Sequence, residues 1–161
     1  MRSPSRDIHL TNRDSGLITA FRILKVGFSS IFLHISQPDN IAGAKFHSSL
    51  TQPKRSQVIK KGTNPLIDAY SAFFDNTDIK GSGDTGLRRL VEDSTEIVVV
   101  GLAQDYCVAW TCLDSLGLRL PTTILTDHTR PVDPDTGDQM MERVRDAGGI
   151  VTTLRDYQVS Y

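Results

Sequence analysis

The sequence predicts an α/β fold in which a doubly wound, mostly parallel sheet carries helices on both faces. From about Gln57 onward, short runs rich in β-branched residues alternate with segments of helical periodicity, a pattern typical of βαβ units. One run, EIVVVGL at 96–102, is continuously apolar, which is typical of a strand buried on both faces. A β-α-β-α-β order of this kind favours a doubly wound sheet with right-handed crossovers.

The first 56 residues carry weaker signals. The polar stretch 1–15 is expected to be disordered, because it holds few side chains that a core could bury. A helix is the interpretation of the next segment, since Leu17, Ala20, Phe21 and Leu24 lie at helical spacing. The run SIFLHI that follows predicts a strand.

Three elements are predicted between residues 57 and 102. QVIKKG is a candidate strand that ends at Gly62. TGLRRLVED is a predicted helix, because Leu87, Leu90 and Val91 lie at helical spacing. EIVVVGL comes next and, as the most apolar run, is predicted to be the central strand.

The second half of the chain continues the alternation. In YCVAWTCLDSLGL, the four-residue spacing of Val108, Cys112 and Leu116 predicts a helix that Gly117 ends. TTILTD is the next predicted strand, ended by Asp127. PDTGDQMMERVRDAGG predicts a helix closed by paired glycines, and IVTTL predicts the last strand. The residues of that helix expected to face the core are Met140, Met141 and Val144.

Length and charge exclude several classes of protein. At 161 residues the chain has the size of one domain, so residues 1–161 are expected to form a single domain. With 18 basic and 19 acidic residues the net charge is −1, and no overall field would attract nucleic acid or a membrane surface. No apolar run approaches the roughly 20 residues of a membrane span, and the N-terminus lacks the apolar centre of a signal peptide. We therefore expect a cytoplasmic protein.

Cys107 opens the helix that follows the predicted central strand. Ligands of open α/β sheets bind outside the carboxyl ends of the strands, which is where Cys107 is predicted to lie. Unpaired N–H groups at a helix start favour the thiolate and can hold a developing oxyanion. A nucleophile with a depressed thiol pKa is therefore one interpretation, and a small buried residue at a strand–helix junction is the other.

Lys61 favours the first interpretation. It ends the strand QVIKK, so it is predicted to reach the same edge of the sheet, where a cation would lower the thiol pKa further. The other interpretation is a solvated lysine in the basic stretch 54–61. DAYSAFF at 68–74 supplies aromatic side chains that could line a pocket for a flat ring, although such clusters also pack cores.

Three stretches, KKGTNPLIDAYSAFFDN, TGLRRL and VVVGLAQDYCVAWTCLDS, closely resemble the nicotinamidase (pyrazinamidase) branch of the isochorismatase-like cysteine hydrolases. The resemblance covers roughly residues 42–153, from AGAKFHSSL through TDHTRPVDPDTGDQMMERVRDAGGIV. It is specific because several separate motifs fall in the family's order. It implies an isochorismatase-like fold, with residues 16–41 divergent from the family.

The resemblance implies a role for each candidate residue. Cys107 matches the family nucleophile, which attacks the carboxamide carbon of nicotinamide, expels ammonia and leaves a thioester that water hydrolyses to nicotinate. Lys61 matches the lysine that polarises the site and supports the thiolate. The backbone N–H groups of Ala103 and Cys107 match the oxyanion hole.

The resemblance also implies the surroundings of the substrate. The Leu102–Ala103 bond matches the position of a non-proline cis peptide in the family, a bond that costs about 3–4 kcal/mol. Tyr70, Tyr106 and Leu102 fall where family members place groups near the pyridine ring.

Two features of the family have no match in this sequence. The family's third catalytic group is an aspartate in a segment resembling V-D-x-Q-x-D-F, and neither Asp7 nor Asp14 follows such an apolar strand. The family usually binds a divalent metal such as zinc through a D-x-H pattern, which LHISQPDNIAGAKFH lacks. His34 and Asp39 alone make a weak site, and His47 matches a position that is not a ligand. We therefore identify no cofactor, and we expect the first strand of the family to be missing, as in a shortened product or an altered gene model.

The predicted function is hydrolysis of nicotinamide to nicotinate and ammonia through a cysteine thioester, in NAD recycling. A related cysteine hydrolase acting on another small amide is one alternative. A non-catalytic, truncated homologue that binds a small molecule or completes an oligomer is the other. The predicted partner is the amide substrate, a homo-oligomer is possible, and neither nucleic acid nor a membrane is expected.

Overall fold

The structure is a computed structural model that describes the backbone of 19–25 and 28–34, and residues 56–62, 64, 66–76 and 83–157 in full. The predicted disorder of 1–15 lies outside the described residues. The elements, in chain order, are β1 (Thr19–Lys25), β2 (Phe28–His34), β3 (Lys60–Lys61), α1 (Leu87–Val91), β4 (Ile97–Leu102), a π-helical turn (Gln104–Val108), α2 (Ala109–Gly117), β5 (Thr122–Arg130), α3 (Pro134–Asp146) and β6 (Ile150–Thr152).

The described strands form one six-stranded sheet with the order β3-β2-β1-β4-β5-β6. β4, β5 and β6 are parallel to one another, β2 is parallel to β3, and β1 is antiparallel to both β2 and β4. All the strands except β1 therefore point in one direction, which confirms the predicted α/β class with a mostly parallel sheet. β4 lies inside the sheet, as its apolar run predicts.

The segment before β2 is a strand, so the predicted helix through Ala20, Phe21 and Leu24 is wrong. β1 pairs with β2 along its whole length, from Thr19 opposite His34 to Lys25 opposite Phe28, and also with β4. Backbone pairing on both edges outweighs a local helical spacing of apolar residues. As a result, β4 has a hydrogen-bonded neighbour on each side.

The two faces of β4 belong to two different cores. Ile97 and Val99 pack with the apolar side chains of α1, the π-helical turn, α2 and α3. Val98 and Val100 face the other way and pack with Leu125, Leu154 and Tyr157. Within the described residues, the helices therefore cover one face of the sheet, and the segment after β6 contributes to covering the other, whereas helices on both faces were predicted.

The ends of several elements differ from the prediction. β5 continues three residues past Asp127, to Arg130, while β3 is shorter than QVIKKG predicts. α2 ends at Gly117, but the residue in left-handed conformation is Arg119, with φ 63°. The N–H of Arg119 bonds the carbonyl of Leu116, and the N–H of Leu120 bonds that of Ser115, which is a Schellman arrangement.

In the described part of the chain, no helix has both the length and the apolar character that crossing a bilayer would require.

Candidate active site

The candidate site begins where β4 ends and the chain turns into a helix. Ala103 takes a left-handed conformation (φ 57°, ψ 61°), and its carbonyl accepts hydrogen bonds from the N–H groups of Tyr106 (3.0 Å) and Val108 (3.2 Å). The resulting π-helical turn buries Cys107, which is 5% exposed. The peptide bond between Leu102 and Ala103 is trans, so the cis bond implied by the resemblance is wrong. The turn is made by the left-handed Ala103 instead.

Lys61 reaches the same edge of the sheet, because β3 and β4 point in the same direction. It is only 3% exposed. Its Nζ donates a hydrogen bond to the carbonyl of Ala69 at 2.7 Å and another to the carbonyl of Tyr70. It also shares a hydrogen bond with the thiol of Cys107. The structure therefore brings together the two residues predicted as nucleophile and cation.

Burial controls the protonation of this pair. It lowers the pKa of Lys61 from 10.5 to about 8, although the charge and hydrogen bond of Cys107 and the charge of Asp75 act in the opposite direction. Burial also raises the pKa of the Cys107 thiol and outweighs the opposing effect of Lys61. The predicted depression of the thiol pKa is therefore wrong. A helix start and one cation do not compensate for removing water from the sulfur.

An aromatic pair lies beside the thiol. The rings of Tyr70 and Tyr106 have centroids 5.6 Å apart and are tilted by 51°, and Tyr106 is 42% exposed. Leu102, at the end of β4, is half-buried. Phe73, from the same predicted aromatic cluster, is fully buried in the core. DAYSAFF therefore serves both roles weighed from the sequence, with Tyr70 at the site and Phe73 in the core.

Thr111 is a site residue that the sequence reasoning missed. It lies one turn after Cys107 and is fully buried. Its hydroxyl donates to the carbonyl of Cys107 at 2.6 Å and accepts from the N–H of Ala72 at 2.9 Å. A threonine bond to the carbonyl four residues earlier is common in helices. The contact with Ala72 spans 39 residues, and no local pattern could have revealed it.

Asp105, also missed, ties the turn to the start of α3. Its carboxylate accepts hydrogen bonds from Val132 N–H (2.9 Å), Asp133 N–H (3.0 Å) and the Thr136 hydroxyl (2.7 Å). Burial alone would raise the pKa of Asp105, but these three donors outweigh it and lower the pKa. Asp105 is therefore an anionic anchor that holds the π-helical turn against the α3 N-terminus.

The described residues do not fit the family's metal. Among them, no three His, Cys, Asp or Glu side chains come together in a way that could hold an ion. The side chains considered from the sequence, those of His34, Asp39 and His47, lie outside what the structure describes. The reaction proposed for this site therefore includes no step at a metal. Asp7 and Asp14 also lie outside the described residues.

The isochorismatase domain matches residues 39–156, which is more than half of the chain. The chain belongs to the isochorismatase family. Within the family it belongs to the nicotinamidase branch, since it is 42% identical over 123 residues to the nicotinamidase of Escherichia coli K12, a match that covers 74% of this chain and 56% of that protein. The chain spans about half the length of the curated relatives it matches.

Solved structures agree with this assignment. PnC1 from L. infantum, in complex with nicotinate, has a TM-score of 0.64 and 30% identity, with 71% of this chain and 57% of that chain covered. The pyrazinamidase of Pyrococcus horikoshii, in complex with zinc, has a TM-score of 0.60 and 26% identity, covering 71% of this chain and 59% of that one. The family's fold is therefore present in the region that holds Lys61 and Cys107.

Proposed function

We propose that this chain hydrolyses nicotinamide to nicotinate and ammonia, with Cys107 as the nucleophile. The observation that carries the proposal is the buried Lys61–Cys107 pair, whose two members come from the ends of β3 and β4. A thiol that shares a hydrogen bond with an ammonium group, in a site bordered by two tyrosine rings, suits acyl transfer on a flat aromatic amide.

The proposed reaction uses the described groups in order. The Cys107 sulfur attacks the carboxamide carbon, and the N–H groups of Ala103 and Cys107 stabilise the oxyanion that forms. The carbon–nitrogen bond then breaks, the amine takes the proton that the thiol gave to Lys61 and leaves as ammonia, and a thioester remains. Water attacks the thioester, releasing nicotinate and restoring the thiol. Lys61, with a pKa of about 8, can exchange a proton with the sulfur near neutral pH.

The test is ammonia release from nicotinamide by the purified chain, compared with a Cys107→Ala variant. We expect release from the wild type and a loss of at least about 10³-fold in the variant, because removing a nucleophile removes the covalent route. Cys112→Ala is the matched control. Cys112 is also buried and free, but it lies on α2 and burial alone raises its pKa. Equal release from the Cys107→Ala and Cys112→Ala proteins would contradict the proposal.

Another small amide is the second candidate substrate, because the Lys61–Cys107 pair alone does not determine which ring the substrate carries. A panel of nicotinamide, pyrazinamide and an aliphatic amide of similar size separates the two possibilities. We expect the aromatic amides to be preferred, because the Tyr70–Tyr106 pair offers ring faces to a flat substrate. A cytoplasmic enzyme of this kind would return nicotinamide to NAD synthesis as nicotinate.

A further inference from the structure

We propose that Thr111 is a positioning residue that sets the alignment of Lys61 with Cys107 by tying the 69–72 segment to the nucleophile's own carbonyl. The inference concerns the site of the proposed function and rests on that function for its catalytic meaning. The effect of Thr111 on the alignment of the Cys107 thiol with Lys61 can be tested without any assumption about the substrate.

The contacts around Cys107 form a closed ring. Thr111 donates to the Cys107 carbonyl (2.6 Å) and accepts from Ala72 N–H (2.9 Å). Three and two residues earlier in that segment, the carbonyls of Ala69 and Tyr70 accept from Lys61 Nζ. Lys61 then returns to Cys107 through its hydrogen bond with the thiol. The sulfur and the carbonyl of Cys107 are thus linked to each other through Thr111, the 69–72 segment and Lys61.

The Thr111 hydroxyl is the member of this ring that a substitution can remove without altering the backbone or the Lys61–Cys107 pair. Lys61 donates to backbone carbonyls, so the position of its ammonium follows the 69–72 segment. On its far side this segment is held by Thr85, whose hydroxyl donates to the Ala72 carbonyl at 2.7 Å. Thr111 joins it by hydrogen bonds to the carbonyl of Cys107, and the ring contact between Tyr70 and Tyr106 is a further link between the segment and the π-helical turn. Without the hydroxyl, the buried N–H of Ala72 has no acceptor and the segment shifts to find one.

The test is the pH dependence of Cys107 alkylation by iodoacetamide in single-cysteine proteins made in the Cys112→Ala background. Thr111→Val keeps the shape of the side chain and removes both hydrogen bonds, whereas Thr111→Ser keeps the hydroxyl. We expect Thr111→Val to raise the midpoint of alkylation by about one pH unit, since the ammonium is less well aligned with the sulfur. We expect Thr111→Ser to restore the wild-type midpoint.

Ser115→Ala is the matched control, because Ser115 is a fully buried hydroxyl one turn further along α2 that bonds Thr122 at 2.8 Å and does not touch the pair. Thermal unfolding of each variant shows that it is folded at the labelling temperature. A Thr111→Val midpoint that coincides with that of Ser115→Ala would overturn the inference, as would failure of Thr111→Ser to rescue.

Ammonia release from nicotinamide, measured on the same proteins, separates the two proposals. We expect Thr111→Val to lower kcat about tenfold, as misalignment of a reacting group does. A shifted alkylation midpoint in a protein series that hydrolyses no amide would support the positioning role and contradict the proposed hydrolysis. Full hydrolysis with an unshifted midpoint would support the hydrolysis and overturn the role of Thr111.

Discussion

Burial and a single lysine act in opposite directions on the thiol of the candidate nucleophile. Burial favours the neutral forms of both Lys61 and Cys107, lowering the pKa of the first to about 8 and raising that of the second. Because the two share a hydrogen bond, their protons leave in steps that belong to the pair. Below about pH 8 the pair keeps both protons and the sulfur is a thiol. Above it, Lys61 is the first of the two to lose its proton, because its pKa lies below that of the thiol, and the neutral amine can then accept the proton of Cys107.

The raised thiol pKa predicts that alkylation of Cys107 in the wild type has its midpoint above 9.0, the ordinary thiol pKa. In Lys61→Met the thiol remains buried without a cation, so its midpoint is expected to move up by about 1–3 pH units. Lys60→Met is the control, since Lys60 is the adjacent residue of β3 and is exposed. Labelling in the Cys112→Ala background, read by mass spectrometry from neutral to strongly alkaline pH, measures all three. Equal midpoints for Lys61→Met and Lys60→Met would refute the pairing.

At the scale of elements, α2 and α3 end in the same way with different residues. Both close with a Schellman arrangement whose left-handed residue is Arg119 after α2 and Gly148, with φ 89°, after α3. The sequence predicted paired glycines at the end of α3, which is confirmed. It also predicted that Gly117 would end α2, and there the left-handed position falls two residues later, on a side chain that pays a steric cost.

Two substitutions of glycine by alanine are therefore expected to have opposite effects. Gly117→Ala should raise the free energy of unfolding by about 0.5–1 kcal/mol, because Gly117 is helical and nothing lies within 4 Å of an added Cβ. Gly148→Ala should lower it by about 1 kcal/mol, since its added Cβ also meets nothing but its φ is left-handed. Urea unfolding measures both. A loss of stability in Gly117→Ala would show that Gly117 is needed as a stop after all.

These elements also show what local sequence can determine. The strands and helices after residue 57 follow from periodicity. Lys61 follows from its place at the end of the strand QVIKK, and Cys107 from its place at the start of the helix after the central strand. β1 could not be predicted, because its spacing fits a helix and only pairing with β2 and β4 makes it a strand. The contacts of Thr111 and Asp105, and the raised pKa of the thiol, depend on residues far along the chain and on burial, which a local pattern does not encode.

The residues at the two ends of the parallel strands have different roles. The carboxyl ends of β3 and β4 carry the site. At the amino end of β4, Glu96 is buried and its carboxylate accepts hydrogen bonds from the Thr123 hydroxyl (2.6 Å) and the Tyr157 hydroxyl (2.9 Å). The second bond holds the segment after β6 over the face of the sheet that the described helices leave uncovered.

This separation predicts a substitution that weakens the fold and leaves the chemistry intact. Tyr157→Phe removes the hydroxyl, so one oxygen of the buried Glu96 loses its donor, and the free energy of unfolding is expected to fall by about 1–3 kcal/mol. The ring still packs on Val98, Val100 and Leu125, so the fold persists. Ammonia release per folded molecule at 25 °C is expected to match the wild type, because the hydroxyl lies at the opposite end of β4 from Cys107. Urea unfolding and ammonia assays on one preparation test both parts. A loss of activity larger than the loss of folded protein would show that the two ends of the sheet are coupled, and an unchanged stability would show that the bond to Glu96 contributes nothing.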